Sequence, residues 1–436
     1  MKNLFISIYK NKIEIFFFLI LLFYTKIFYK SFFKIVGDGY AFNELFLNYE
    51  TGFIRRGFLG QIFYIFFSNF NVNPLNFFGS LFIFLYLIYI FFFYLCVKKW
   101  KNNSLLSTLV IFSPALILFS VYDENVYFVK DIFIKISIFI HAFFLILILK
   151  KELYYKYYNF FLLFILIPLI FIISLIHELQ IIFIPIHLLF TYAFLIYSKK
   201  ETAVYIKYFK YYLILLVPFI LLIIFRGNKE ILFTQSQFLL NNFGIQIHPQ
   251  LGSGITGLIG GFYVWHFYYF DYSAFINLFF SFILSFYIFY LIIHYLISIR
   301  IITLPKILYK HYFLFFFPCF VSFFLTDHGR TISLLANHLI AFYFILKVNE
   351  ENFIHLKKKI KSNFIVKQFL IIFCFFYIFL WHLSQTAGLG IQNHRTYVFS
   401  SSLFSKVNEI TRDSYYLIRN NIFYDLPDIE KIIFKK

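Results

Sequence analysis

The stretch FFLLFILIPLIFIISLIHELQIIFIPIHLLFTYAFLIYS, residues 160 to 198, runs for 39 residues and carries a single formal charge, Glu178. As one helix it would extend about 58 Å, roughly twice the ~30 Å hydrocarbon thickness of a bilayer. Lys156 lies just before it and Lys199 and Lys200 just after. Basic flanks belong on the same, inner side of a membrane, so the stretch has to turn back on itself. The turn falls at IHELQ, residues 176 to 180, which places His177 and Glu178 at the tip of a transmembrane hairpin.

Apolar runs of this kind recur along all 436 residues, and 61% hydrophobic content with a mean hydropathy of +0.80 exceeds what a soluble domain of this length buries. The fold class that follows is all-α, a polytopic transmembrane helical bundle. Spans are expected near 14–33, 75–97, 104–122, 131–149, 160–176, 179–198, 211–225, 273–297, 311–326, 331–347 and 365–383, about 11 in all. The N-terminal MKNLFISIYKNKIEIFFFLILLFYTKIFYK has no small-residue cleavage site after its apolar run, and reads as an uncleaved first span.

Charge distribution sets the expected orientation. The formal net charge of +19 would suit a nucleic-acid partner if it were spread over a surface. With the N-terminus inside, however, the inner segments hold 21 Lys+Arg against 4 Asp+Glu, and the outer ones 7 against 9. This asymmetry expresses topology and not nucleic-acid binding. It places the C-terminus outside and divides the chain into a transmembrane domain, 1–383, with outer loops 34–74 and 226–272, and a polar C-terminal outer tail, 384–436. Two ambiguous pieces follow the same rule. FLGQIFYIFFSNF (58–70) is short for a span, and counting it would invert every later loop, so it is expected along the outer interface or re-entering. The glycine-rich 252–271 is treated likewise, its irregular backbone needing protein or water to satisfy it.

The 72 Phe and 36 Tyr beside 16 Gly and one Met, with frequent Ile, Lys and Asn, look like AT-rich coding, so aromatic stripes are not read as binding platforms. Cys96, Cys319 and Cys374 stand in apolar stretches without metal-ligand spacing. His141, His187, His294 and His338 lie singly in spans and read as interhelical hydrogen-bonding residues. The sequence has no phosphate-binding GxxxxGK[ST] loop, no GxGxxG after a strand, no HExxH and no GxSxG. Neither nucleotide, zinc nor serine hydrolysis has a motif to stand on.

The remaining polar residues gather on the outer side. Asp38, Glu44, Glu50, Arg55 and Arg56 follow the first span, Asp123 and Glu124 the third, and Arg226 opens the longest middle loop. Asp327, His328, Gly329 and Arg330 join two spans as DHGR. Adjacent arginines match phosphate oxygens with forked, permanently charged donors, and Gly52, Gly57 and Gly60 leave room for close approach around TGFIRRGFLG. Glu178, beside hydrocarbon, is a candidate base or arginine partner. Each has a plainer reading: Arg55 and Arg56 anchor a loop on Glu44 or Glu50, Asp327 caps a helix, and Glu178 is a solvated loop acid.

A chain of about eleven apolar spans, AT-biased and with acids and arginines collected outside, resembles the membrane proteins of bacterial surface-polysaccharide clusters. The closest likeness is to the Wzy-type O-antigen and capsule polymerases, and more broadly to the GT-C glycosyltransferases that use polyprenyl-linked donors. Asp38 in GDGY is similar to the first-loop acid of GT-C enzymes, although Gly39 follows it where they often carry paired acids. IRRG and DHGR are similar to the cationic outer residues of the polymerases. The resemblance implies a bacterial cytoplasmic-membrane enzyme joining polyprenyl-pyrophosphate-linked glycan repeat units, with membrane lipid and other polysaccharide-assembly membrane proteins as partners. Asp38, Glu178 and Asp327 would be catalytic, the carboxylate deprotonating an acceptor hydroxyl. Arg55, Arg56, Arg226, His328 and Arg330 would bind substrate and hold the leaving pyrophosphate. No cofactor and no metal are implied. A transferase of one sugar from polyprenyl phosphate, a lipid-linked glycan transporter and a structural membrane protein are the competing readings. The transporter predicts inverted repeats and midplane charge, of which Lys135 is the main example.

Overall fold

In the computed structural model the described residues are 17–22, 44–54, 56–70, 74–98, 104–122, 128–151, 155–198, 202–224, 229–244, 282–300, 302–303, 314–315, 317–318, 328–348, 351–352, 354–356 and 363–379, with single positions 14, 24, 279 and 358. They are mainly helical, with turns between the helices and one antiparallel pair of two-residue strands, Ile302–Thr303 (β1) against Lys347–Val348 (β2). Among the described residues four helices are long and apolar enough to cross a membrane: Asn76–Lys98, Asp131–Leu149, Tyr157–Ile176 and Leu179–Tyr197.

The chain passes from a 3-10 turn, Glu44–Phe46, into α1 (Phe58–Phe70) and α2 (Pro74–Lys98). The expected span 104–122 is not one helix. It forms α3 (Ser104–Ile111) and the short α4 (Phe119–Tyr122), separated by turns. Pro114 lacks an N–H and disfavours helical backbone at Ser113 before it, which ends α3 there. Ser113 Oγ instead accepts from the Ala115 N–H at 3.3 Å and meets Tyr377 OH at 3.0 Å. The next helix, α5 (Asp131–Lys151), is apolar on every side. Such a helix has to be covered all round, and α5 packs between α2 and α13 (His328–Ile345) with α8 (Leu179–Tyr197) on a further side. Ile134, Ile138, Phe139, Ala142 and Leu145 are completely buried there.

The hairpin predicted between lysines is present. Its first arm is α6 (Tyr155–Phe161), a π-helical turn (Leu162–Leu166) and α7 (Ile167–Ile176); its second is α8. Pro168 has no N–H to give the Phe164 carbonyl, and the π turn ahead of it absorbs the missing bond. The segment 199–225, read as loop then span, is α9 (Thr202–Leu213) and α10 (Leu216–Ile224). In the long middle loop, α11 (Lys229–Phe243) packs back on α1, with Phe243 4.7 Å from Phe67 and 5.5 Å from Phe63 between ring centroids. A π turn, Ile283–Tyr287, leads to α12 (Ile288–Ser298), and α14 (Phe364–Phe379) completes the described helices. The expected spans 14–33, 273–297 and 311–326 are described only in part, and 252–271 and the tail 384–436 lie outside the described residues.

Candidate functional site

The polar residues of the molecule concentrate where helix ends meet. Asp131 opens α5, Glu178 precedes α8, and both sit at helix N-termini that favour negative charge. His177 terminates α7, its N–H donating to the Ile173 carbonyl at 2.7 Å. Arg330 lies in the first turn of α13, so the DHGR turn expected from sequence is helical from His328 onward. A cation is poorly placed against a helix N-terminus, and Asp131 offsets this: Arg330 Nε donates to Oδ2 and Nη2 to Oδ1, each at 2.9 Å.

Arg56 reaches the same place from the turn before α1. Its φ of 68° is left-handed, a conformation costing a non-glycine residue roughly 1–2 kcal/mol. The Gly57 N–H donates to the Ile54 carbonyl at 3.2 Å and closes this turn. Glycine would suit the backbone better at position 56, so it is the side chain that keeps arginine there. Arg56 Nε donates to both Glu178 oxygens at 2.9 and 2.7 Å, Nη2 adds a contact to Oε1, and Nη1 lies 3.3 Å from Glu44 Oε1. Gly60 lets α1 approach the 44–48 segment: a Cβ there would fall 2.0 Å from the Leu47 carbonyl oxygen.

Lys130 completes the set. Its Nζ is 3.2 Å from Glu44 Oε1 and donates to the Arg56 carbonyl at 3.1 Å. Burial raises the Glu44 carboxyl, but the surrounding charges of Lys130, Arg56, His177 and Arg330 outweigh it and hold it at about 2. Burial also pushes the Lys130 ammonium below its ordinary value, opposed by Glu44. Among the described residues, three carboxylates (Glu44, Asp131, Glu178) thus face three cations (Arg56, Lys130, Arg330).

His177 links the two halves. Nε2 lies 2.9 Å from Asp131 Oδ1 and 3.2 Å from Arg330 Nη2; Nδ1 is 3.6 Å from Glu178 Oε2. With the ring proton on Nε2, donated to Asp131, Nδ1 is a bare lone pair facing a carboxylate. This buried nitrogen has no hydrogen-bond partner among the described residues. In that tautomer an alcohol hydroxyl could donate its one proton to Nδ1 or to Glu178 Oε2; with the proton on Nδ1 instead, the ring faces Glu178 as a donor and Nε2 can accept from Arg330. The arrangement is an acid–imidazole pair with an adjacent carboxylate, capable of receiving a proton from an alcohol.

Of the residues expected from sequence, Arg56, Glu178 and Arg330 are brought together. Asp38, Arg55, Arg226 and Asp327 lie outside the described residues, as do Asp123, Glu124 and the side chain of His328. Glu50 stands apart, exposed, accepting from Gln61 Nε2 at 2.8 Å. Sequence reasoning passed over Asp131 and Lys130 and named Glu44 only as a loop-anchoring partner of the arginines, a pairing that Arg56 makes. The signal for Asp131 was the pair Lys130–Asp131 opening an apolar helix, where a carboxylate needs a partner. Among the described residues no group of three or more His, Cys, Asp or Glu is placed to hold a metal ion.

The fold and the cluster together define an integral-membrane helical protein with a buried ionic site where its helix ends meet. Comparison with protein-family models, with curated proteins and with solved structures returns no match.

Proposed function

We propose that this chain is a membrane glycosyltransferase of surface-polysaccharide assembly, a polymerase that joins polyprenyl-pyrophosphate-linked repeat units at the outer face of the bacterial cytoplasmic membrane. In this reading the bundle has about eleven spans, the N-terminus is inside, and the ionic cluster faces outward. One observation supports it above the others: Arg56, Glu178 and Arg330, distant in sequence, meet around His177, whose buried Nδ1 has no hydrogen-bond partner among the described residues. A polyprenyl-linked substrate presents its pyrophosphate and sugars at that level, with its tail in lipid.

The chemistry follows from the groups present. An acceptor hydroxyl bound between His177 Nδ1 and Glu178 gives up its proton there while its oxygen attacks the anomeric carbon of the donor. The bond from that carbon to the pyrophosphate oxygen breaks, and the charge gathering on the leaving group is taken by Arg56 and Arg330 as their carboxylates release them. Asp38, Arg55, Arg226, Asp327 and His328 complete the proposed site.

The test is surface-glycan length in a deletion strain complemented with wild type, Arg56→Ala, Glu178→Ala or Arg330→Ala at matched membrane levels. The polymerase reading expects single capped repeat units in the deletion and no ladder from the variants. Long glycan persisting in the deletion sinks it and favours the single-sugar transferase, whose product would then be missing.

A further inference from the structure

Below the ionic cluster a second polar feature runs through apolar surroundings. Ser137 Oγ lies 3.4 Å from His187 Nε2, and His187 Nδ1 lies 3.1 Å from His141 Nδ1. His141 Nε2 is 3.1 Å from Tyr158 OH, which is 2.6 Å from Thr191 Oγ1, which is 2.9 Å from Tyr212 OH. These six side chains come from α5, α6, α8 and α9, and all are buried. At one end Ser137 meets Gln180 Oε1 at 3.3 Å, and the Gln180 N–H donates to the carbonyl of His177 in the ionic cluster at 3.1 Å. At the other, Tyr212 sits on α9 close in sequence to Lys207 and Lys210.

Polar side chains inside a membrane bundle are costly, and one interhelical hydrogen bond each would suffice to join helices. This track does more. Both nitrogens of both imidazoles are spent on it, so a proton that enters either ring at one nitrogen can leave by the other. Each hydroxyl can both donate and accept, and the carbonyls of Ile134 and His187 give hydroxyl protons a resting acceptor. His338 provides the contrast within the same core. It stands edge-on to His187 with ring centroids 6.1 Å apart, but its Nδ1 is tied to the Leu334 carbonyl and its Nε2 has no partner among the described residues.

We propose that Ser137, His187, His141, Tyr158, Thr191 and Tyr212 form a proton relay through the bundle, giving the protein a proton-conducting activity independent of the transferase reading. A proton arriving at one end forms an N–H or O–H bond as the next one breaks, and another leaves at the far end. The imidazoles exchange tautomers, and nothing is oxidised or reduced. The other titratable groups beside the track are His338, facing His187, and Tyr208, 5.8 Å from the Tyr158 ring.

The experiment uses the full chain in liposomes containing a pH-sensitive dye, with a potassium diffusion potential set by valinomycin. Wild type is expected to acidify the lumen well above the rate of protein-free vesicles. Tyr158→Phe and Thr191→Val, which remove one hydroxyl each and keep side-chain shape, are expected to fall to the protein-free rate; Thr191→Ser restores it, and His338→Phe leaves it unchanged. If Tyr158→Phe does not purify as a monodisperse protein, the Thr191 pair carries the test. Wild-type flux no greater than protein-free vesicles, full conduction by Thr191→Val, or equal loss in His338→Phe overturns the relay.

Discussion

Replacing Glu44 by glutamine removes a carboxylate that pairs with both Lys130 and Arg56. The wild-type carboxyl is held at about 2 against an ordinary 4.5, and the group is nearly buried. At ~1.4 kcal/mol per pKa unit, this difference corresponds to about 3 kcal/mol of stability near neutral pH. Because the folded value is depressed, that stability is fully present above about 4.5 and is lost as pH falls through about 2. By pH 3 more than half of it should be gone. The scale agrees with the ~3–5 kcal/mol expected when a buried pair loses one partner. The assay is reversible unfolding in mixed micelles, wild type against Glu44→Gln, from pH 7 to pH 3. The gap between the two proteins should be constant down to about pH 5 and then narrow. A gap that stays constant to pH 3, or no gap at pH 7, would refute the argument that Glu44 is an ionised partner of buried cations.

Further expectations follow from the same geometry. Arg330→Ala strands the buried Asp131 carboxylate and should cost ~3–5 kcal/mol, much of it recovered when Asp131→Ala is added. A double-mutant cycle between Arg56→Ala and Glu178→Ala should give a coupling of about 1–3 kcal/mol in the same unfolding assay; additive losses would show that the bidentate pair does not form. Gly60→Ala drives a methyl group into the Leu47 carbonyl and should destabilise by about 1–3 kcal/mol, whereas the same change at the open position Gly244, whose φ is +65°, meets no atom and tests only backbone strain.

The hairpin was legible because one charge in thirty-nine residues, between flanking lysines, leaves a single place for a turn; α7 ends at Ile176 and α8 begins at Leu179. The pairing of Arg330 with Asp131 was not, since the partners are 199 residues apart and Asp131 looks like an ordinary helix-flanking acid. The break at Pro114 follows from the residue type, but a hydropathy reading averages across it. His141 and His187 were recognised as interhelical hydrogen-bonding residues, yet their facing one another depends on the register of α5 against α8, which periodicity does not give. Tyr158 and Tyr212 were hidden by abundance: with 36 tyrosines in the chain, residue type alone marks none of them.

The close pairing of opposite charges in the ionic cluster also bears on how a ligand would find it. Opposed charges a few ångströms apart cast little field beyond their own dimensions, and salt erases most of what remains within about 8–10 Å. Under the proposed function, encounter would then depend on two-dimensional diffusion along the lipid surface, and its rate should follow the surface density of the anchored substrate while remaining nearly indifferent to ionic strength.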